Sequence, residues 1–124
     1  MKKLLCLSLA ALVSTSSMGA DWEDNGANIS GDKYYIDTSS IDNSGLYTKV
    51  WVKRIGKKLK TSKPKDTQES KVLYEFACAS KQIRILSGVF YNFDGSMDSE
   101  NTVSDWNYVP PDSIFEALMQ RVCN

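Results

Sequence analysis

SKVLYEFACA, residues 70–79, reads as a β-strand with two unlike sides. Side chains alternate across a strand, so Val72, Tyr74, Phe76 and Cys78 share one side, while Lys71, Leu73, Glu75 and Ala77 share the other. The chain ends in a second stripe. Pro110 and Pro111 stop the preceding strand, and Ser113 with Glu116 three residues on forms a capping box. A helix over Pro110–Val122 then brings Ile114, Phe115, Leu118, Met119, Val122 and Cys123 to one side at helical spacing. Cys78 lies on the apolar strand side and Cys123 on the helix stripe. A bond between them lays the helix across one face of an antiparallel sheet, an α+β arrangement read from sidedness.

The N-terminus explains why such a bond is expected. Lys2 and Lys3 precede the apolar run Leu4–Val13, followed by Ser16-Ser17-Met18-Gly19-Ala20, the three-part plan of a secretory signal peptide over residues 1–20. The run is too short to span a bilayer. Of three cysteines, Cys6 falls in that run after Leu4-Leu5, a poor context for lipid attachment, so no lipoprotein anchor is expected. Cys78 and Cys123 remain in the exported domain, residues 21–124, and an exported pair in an oxidising compartment reads as a disulfide. Removing Lys2 and Lys3 from the 15 basic residues leaves 13 against 15 acidic ones, a net charge of −2. A domain of this length buries somewhat over about 60% of its unfolded surface, so a covalent staple matters.

Upstream, residues 22–32 read as a loop or short edge strand around Trp22. Lys33–Thr38 and Leu46–Ile55 are dense in aromatic and β-branched residues and read as strands, joined through the turn residues Asp42-Asn43-Ser44-Gly45. Residues 56–70 read as a long solvated loop. Ser80-Lys81 turns the chain into Gln82–Phe93, where period two sets Ile83, Ile85, Val89, Tyr91 and Phe93 against Gln82, Arg84 and Asn92. Asp94-Gly95-Ser96 then turns toward a last strand at Thr102–Tyr108.

The chain has no histidine, which removes Ser–His and Cys–His nucleophile pairs and most zinc sites. No glycine-rich phosphate loop or nucleophile elbow is present. Asp94-Gly95-Ser96-Met97-Asp98 echoes a calcium loop but lacks its glycine at the sixth position and its distal glutamate, and reads as a turn. No catalytic residue, metal or cofactor is expected. The asymmetric feature is charge. Lys49, Lys53, Arg54, Lys57, Lys58, Lys60, Lys63 and Lys65 occur over residues 49–65 without one acidic residue. Such a segment suits anionic partners or simply keeps a strand end soluble and unaggregated. In Leu46–Ile55, period two puts Tyr47, Lys49, Trp51 and Lys53 on one side and Leu46, Val50 and Val52 on the other. If the aliphatic side faces the helix, Tyr47 and Trp51 are displayed among lysines, a common make-up for a binding surface. The candidate surface is Tyr47, Lys49, Trp51, Lys53, Lys57, Lys58 and Lys60.

Trp22, Tyr34-Tyr35-Ile36-Asp37 to Ser40-Ile41, Lys49-Val50-Trp51-Val52, Tyr74-Glu75-Phe76-Ala77-Cys78, Trp106 before Val109-Pro110-Pro111-Asp112-Ser113, and Val122-Cys123 together resemble the surface-adhesin protein E family. The resemblance implies a six-stranded antiparallel sheet with a C-terminal helix held to its concave face by a disulfide. It also implies adhesion to host extracellular-matrix proteins from a Gram-negative cell surface. The missing lipoprotein cysteine departs from an anchored adhesin. An exported protein in the periplasm, on the outer surface or secreted fits equally, as does a periplasmic structural or stress-related accessory role. The expected partners are matrix proteins or anionic glycans, and a dimer is allowed.

Overall fold

A computed structural model describes residues 19–59 and 67–123. Most of the expected signal segment 1–20 lies outside the described residues, as do Lys60, Lys63 and Lys65. The strands are β1 (Trp22–Ala27), β2 (Lys33–Asp37), β3 (Thr48–Leu59), β4 (Thr67–Ala77), β5 (Gln82–Asn92), β6 (Met97–Glu100) and β7 (Asn107–Tyr108), and one helix follows, α1 (Ile114–Val122). They form one antiparallel meander ordered β1-β2-β3-β4-β5-β6. β7 pairs Tyr108 with Gln82 and Asn107 with Ile83, so β6 and β7 share one edge of β5. The sheet thus has one short strand more than the six expected.

The expected sidedness holds. Tyr34, Ile36, Val50, Val52 and Phe76 form one core with Leu118, Met119 and Val122 of α1. Ser113 caps the helix, its Oγ accepting from Glu116 N at 3.2 Å, while Glu116 Oε1 accepts from Asp112 N at 3.3 Å. Two orphan amide groups at the helix start are satisfied in this way. The Cys78–Cys123 disulfide joins the end of α1 to the residue following β4. At the opposite edge, Arg121 donates to the Asp24 carbonyl at 3.0 Å and pairs with Glu23, tying the helix to β1.

Four expectations need correction. Residues 56–70 are not one loop, because β3 runs on to Leu59 and β4 resumes at Thr67, pairing Leu59 with Thr67 beyond a register shift that follows Ile55. Thr67 and Ser70 are buried there, and Thr67 Oγ1 meets Asn92 Oδ1 at 3.3 Å, so polar residues continue the sheet through side-chain bonds. Second, β5 does not keep one alternation. Tyr74 faces Ile85 while Leu73 faces Ser87, leaving Leu86 as the extra residue of a bulge. Beyond it the sides exchange. Gly88 lies opposite Val72 on the helix side, whereas Val89 lies opposite Lys71 on the other, and Tyr91 follows it there. Third, residues 102–108 are mostly irregular, with only Asn107–Tyr108 in a strand. Fourth, Leu46 precedes β3 and is 87% exposed, so it takes no part in the core.

Candidate functional site

Covering one face of the sheet with α1 leaves the other face to solvent, where an antiparallel sheet ordinarily carries polar residues. This face is instead aromatic. Because Val50 and Val52 point into the core, Lys49, Trp51 and Lys53 must point away from it. Trp51 is half-buried on this open side, which resolves the alternative left by the sequence. Tyr35, opposite Lys53 on β2, shares the face, as does Trp22 on β1.

Two groups of stacked cations and rings build the surface. In the first, Lys53 Nζ sits 4.7 Å from the Trp22 ring centre and 5.1 Å from that of Tyr35. Lys71, directly opposite Lys53 on β4, reaches the same Trp22 ring at 6.0 Å and Tyr91 at 5.2 Å. In the second, Tyr47 packs on Trp106 with ring centres 4.9 Å apart, and Arg84 lies 4.4 Å above Trp106 and 5.8 Å from Tyr47. Arg84 Nε also donates to Glu75 Oε1 at 2.7 Å, and Glu75 is buried. That carboxylate anchors the guanidinium and neutralises it. Each such cation–ring contact contributes about 0.5–1 kcal/mol at an exposed site and fixes the long side chain in place.

Beside Tyr47, a shallow hollow of about 180 Å³ is lined by Asp42, Ser44, Gly45, Leu46, Tyr47, Lys49 and Glu75. The Ser44 hydroxyl and backbone N–H hold the Asp42 carboxyl below its usual pKa. A larger hollow, of about 490 Å³, lies at the start of α1 and includes Tyr34, Arg54, Ser113 and Phe115. Arg54, the cation among its described lining residues, is committed. Arg54 Nη2 binds Asp32 Oδ2 at 2.6 Å, and this hydrogen bond, ahead of the cost of burial, lowers the Asp32 pKa. Burial raises the hydroxyl pKa values of Tyr34 and Tyr74 beneath the helix.

The residues expected to form the surface are therefore partly assembled. Tyr47, Lys49, Trp51 and Lys53 come together on the open face. The backbone places Lys57 and Lys58 in the extension of β3. Their side chains, and all of Lys60, lie outside the described residues. Trp22, Tyr35, Lys71, Arg84, Tyr91 and Trp106 are not among the residues expected for the binding surface. The sequence carries a signal for three of them: period two sets Lys71 away from Tyr74, Tyr35 away from Tyr34, and Arg84 away from Ile83 and Ile85. The expected turn at Asp94-Gly95-Ser96 is present, with Ser96 N donating to Asp94 Oδ1 at 2.9 Å. Among the described residues, no group of three or more His, Cys, Asp or Glu side chains is placed to hold a metal, and no helix is long and apolar enough to cross a membrane.

Comparison with known proteins adds a family and a fold. The surface-adhesin protein E family matches residues 22–124. The chain is similar in structure to Haemophilus influenzae protein E, with 20% identity and a TM-score of 0.53 over 73% of this chain and 76% of that one. A second crystal form of that protein gives 19% identity and a TM-score of 0.54 over 73% and 79%. No curated protein matches the sequence.

Proposed function

The chain belongs to the surface-adhesin protein E family, and on that premise we propose that it is an exported, non-enzymatic binding module that attaches to host extracellular-matrix proteins or anionic glycans through the open face of its sheet. The observation that supports this reading is the aromatic and cationic face opposite the helix, where Trp51 lies between Lys49 and Lys53 along β3. Trp, Tyr and Arg concentrate binding energy in interfaces because they bury large area with few torsions to freeze. Here the rings of Trp22, Tyr35, Tyr91, Tyr47 and Trp106 are already held by cation–ring and ring–ring contacts, so little of their ordering cost remains to be met on binding.

Two measurements test it together. Protease added to intact cells digests the domain if it is displayed on the outer surface. Protection until the outer membrane is opened leaves the periplasmic accessory role instead. On immobilised matrix protein, Trp51→Ala and Lys49→Gln each weaken capture by tenfold or more, whereas Leu46→Ala leaves it within twofold. Equal capture by all these variants refutes the open face as the binding surface.

A further inference from the structure

On the open face, Lys53 and Lys71 stand directly opposite each other on β3 and β4. Directly opposed residues bring their Cβ atoms to about 5 Å, and like charges at such positions destabilise a sheet. Both ammonium groups are also drawn to one ring, that of Trp22, which increases their mutual repulsion. The arginines, by contrast, each pair with a carboxylate: Arg54 with Asp32, Arg84 with Glu75 and Arg121 with Glu23. Among the described residues, no carboxylate forms an ion pair with Lys53 or Lys71. Asp24 and Glu69 share this face, but neither is paired with them, and Asp24 Oδ1 accepts from Gly26 N at 2.7 Å.

Two half-buried lysines, held in place by Trp22, Tyr35 and Tyr91 and lacking a counter-charge, constitute a seat for an anion. We propose that Lys53 and Lys71 bind a sulfate or phosphate ester of a saccharide, with the exposed parts of Tyr35, Trp51 and Leu73 receiving the flat C–H face of the sugar. This inference rests on the reading that the open face is the binding surface, and deepens it by naming the ligand chemistry and the two cations that recognise it. An ester oxyanion offers several acceptor oxygens to two ammonium groups at once, which a single carboxylate side chain of a protein partner matches less well. The aromatic surroundings favour a ring-bearing ligand over a free ion. Salt must weaken the complex, since the lysines exchange small anions for the ester groups.

The test uses the purified oxidised protein with a sulfated hexasaccharide, its desulfated counterpart, a phosphorylated hexasaccharide and a single-stranded oligonucleotide, titrated by calorimetry at two salt concentrations. The sulfated or the phosphorylated sugar binds at least tenfold tighter than the desulfated one, and which of them binds better identifies the ester. Lys53→Gln and Lys71→Gln each weaken that binding at least tenfold and lessen its salt dependence, while Lys81→Gln, in the exposed β4–β5 turn, changes it less than twofold. Near-ultraviolet circular dichroism confirms that the variants keep the native packing. Lys53→Gln and Lys71→Gln proteins that bind like the unmodified one overturn the seat, as does equal affinity for the desulfated sugar. Tighter binding of the oligonucleotide, lost in the same two variants, overturns the saccharide. If the seat fails while Trp51→Ala and Lys49→Gln still lose matrix binding, the proposed function stands without it. If matrix capture ignores the open face altogether, that reading fails separately.

Discussion

Reducing Cys78–Cys123 changes no other residue and breaks only the covalent link, the two sulfurs moving apart to non-bonded distance, so it chiefly tests what the link does to the unfolded chain. The bonded residues are 45 apart in sequence. Closing a loop of that size restricts the unfolded ensemble by about 4 kcal/mol in the chain-entropy model. For a domain of this length, with a urea dependence of about 1–2 kcal/mol per molar, the midpoint falls by about 2–4 M. The corresponding drop in Tm is about 15–30 °C. The assay is urea unfolding of the oxidised and the reduced protein under identical buffer, with far-ultraviolet circular dichroism and tryptophan fluorescence read together. Coincident curves license a two-state treatment. A Cys78→Ala/Cys123→Ala protein serves as a second reduced state that cannot reoxidise. Oxidised and reduced forms that unfold within about 1 kcal/mol of each other would refute the reasoning, because the loop would then be constrained without the bond. A second refuting result is a reduced protein that keeps its sheet signal through a separate, early loss of helix, since α1 and the sheet would then not be one cooperative unit.

Two other outcomes are expected. Leu118, fully buried beneath the sheet, should lose about 2–5 kcal/mol on substitution by alanine through lost burial and the cavity left behind, whereas exposed Leu46 should lose less than about 0.5 kcal/mol; equal losses by urea denaturation would mean the helix stripe is not the core. Asp32 has its carboxyl pKa lowered by the Arg54 hydrogen bond, so its contribution is complete above the ordinary value of 3.8 and disappears as pH falls through the lower folded value. The stability difference between the unmodified protein and Asp32→Asn, measured by urea midpoints, is therefore flat from neutral pH down to about 5 and shrinks below about 4; a difference that grows on acidification refutes the pairing.

Much of the frame is legible from local pattern. β4 carries its two sides openly in Val72, Tyr74 and Phe76 against Lys71 and Glu75, and α1 carries its stripe and its Ser113 cap. The hairpin of β2 and β3 follows from aromatic and β-branched density around Asp42-Asn43-Ser44-Gly45. The same local rules fail where a partner strand overrides them. Gly56 and the lysines after it have little preference for a strand, yet β4 supplies the ladder that carries β3 to Leu59. Leu86 gives no sign that it is a bulge, and an alternation counted through it assigns Val89 and Tyr91 to the wrong face. β7 is too short to leave a periodic trace.

The candidate surface divides in the same manner. Tyr47, Lys49, Trp51 and Lys53 lie within seven consecutive residues, so one alternation places them together. Lys53 and Lys71 meet only because β3 and β4 pair in one register, and Trp22 and Tyr91 reach them from β1 and β5. By itself the sequence determined the two-sided strands and the capped helix, and set Cys78 and Cys123 on facing apolar stripes, because each depends on side-chain spacing. Strand register, the bulge in β5 and the convergence of Trp22, Lys53, Lys71 and Tyr91 belonged to the tertiary structure. They arise from pairing between distant segments, whose free energy depends on the whole sheet and on no one stretch of it.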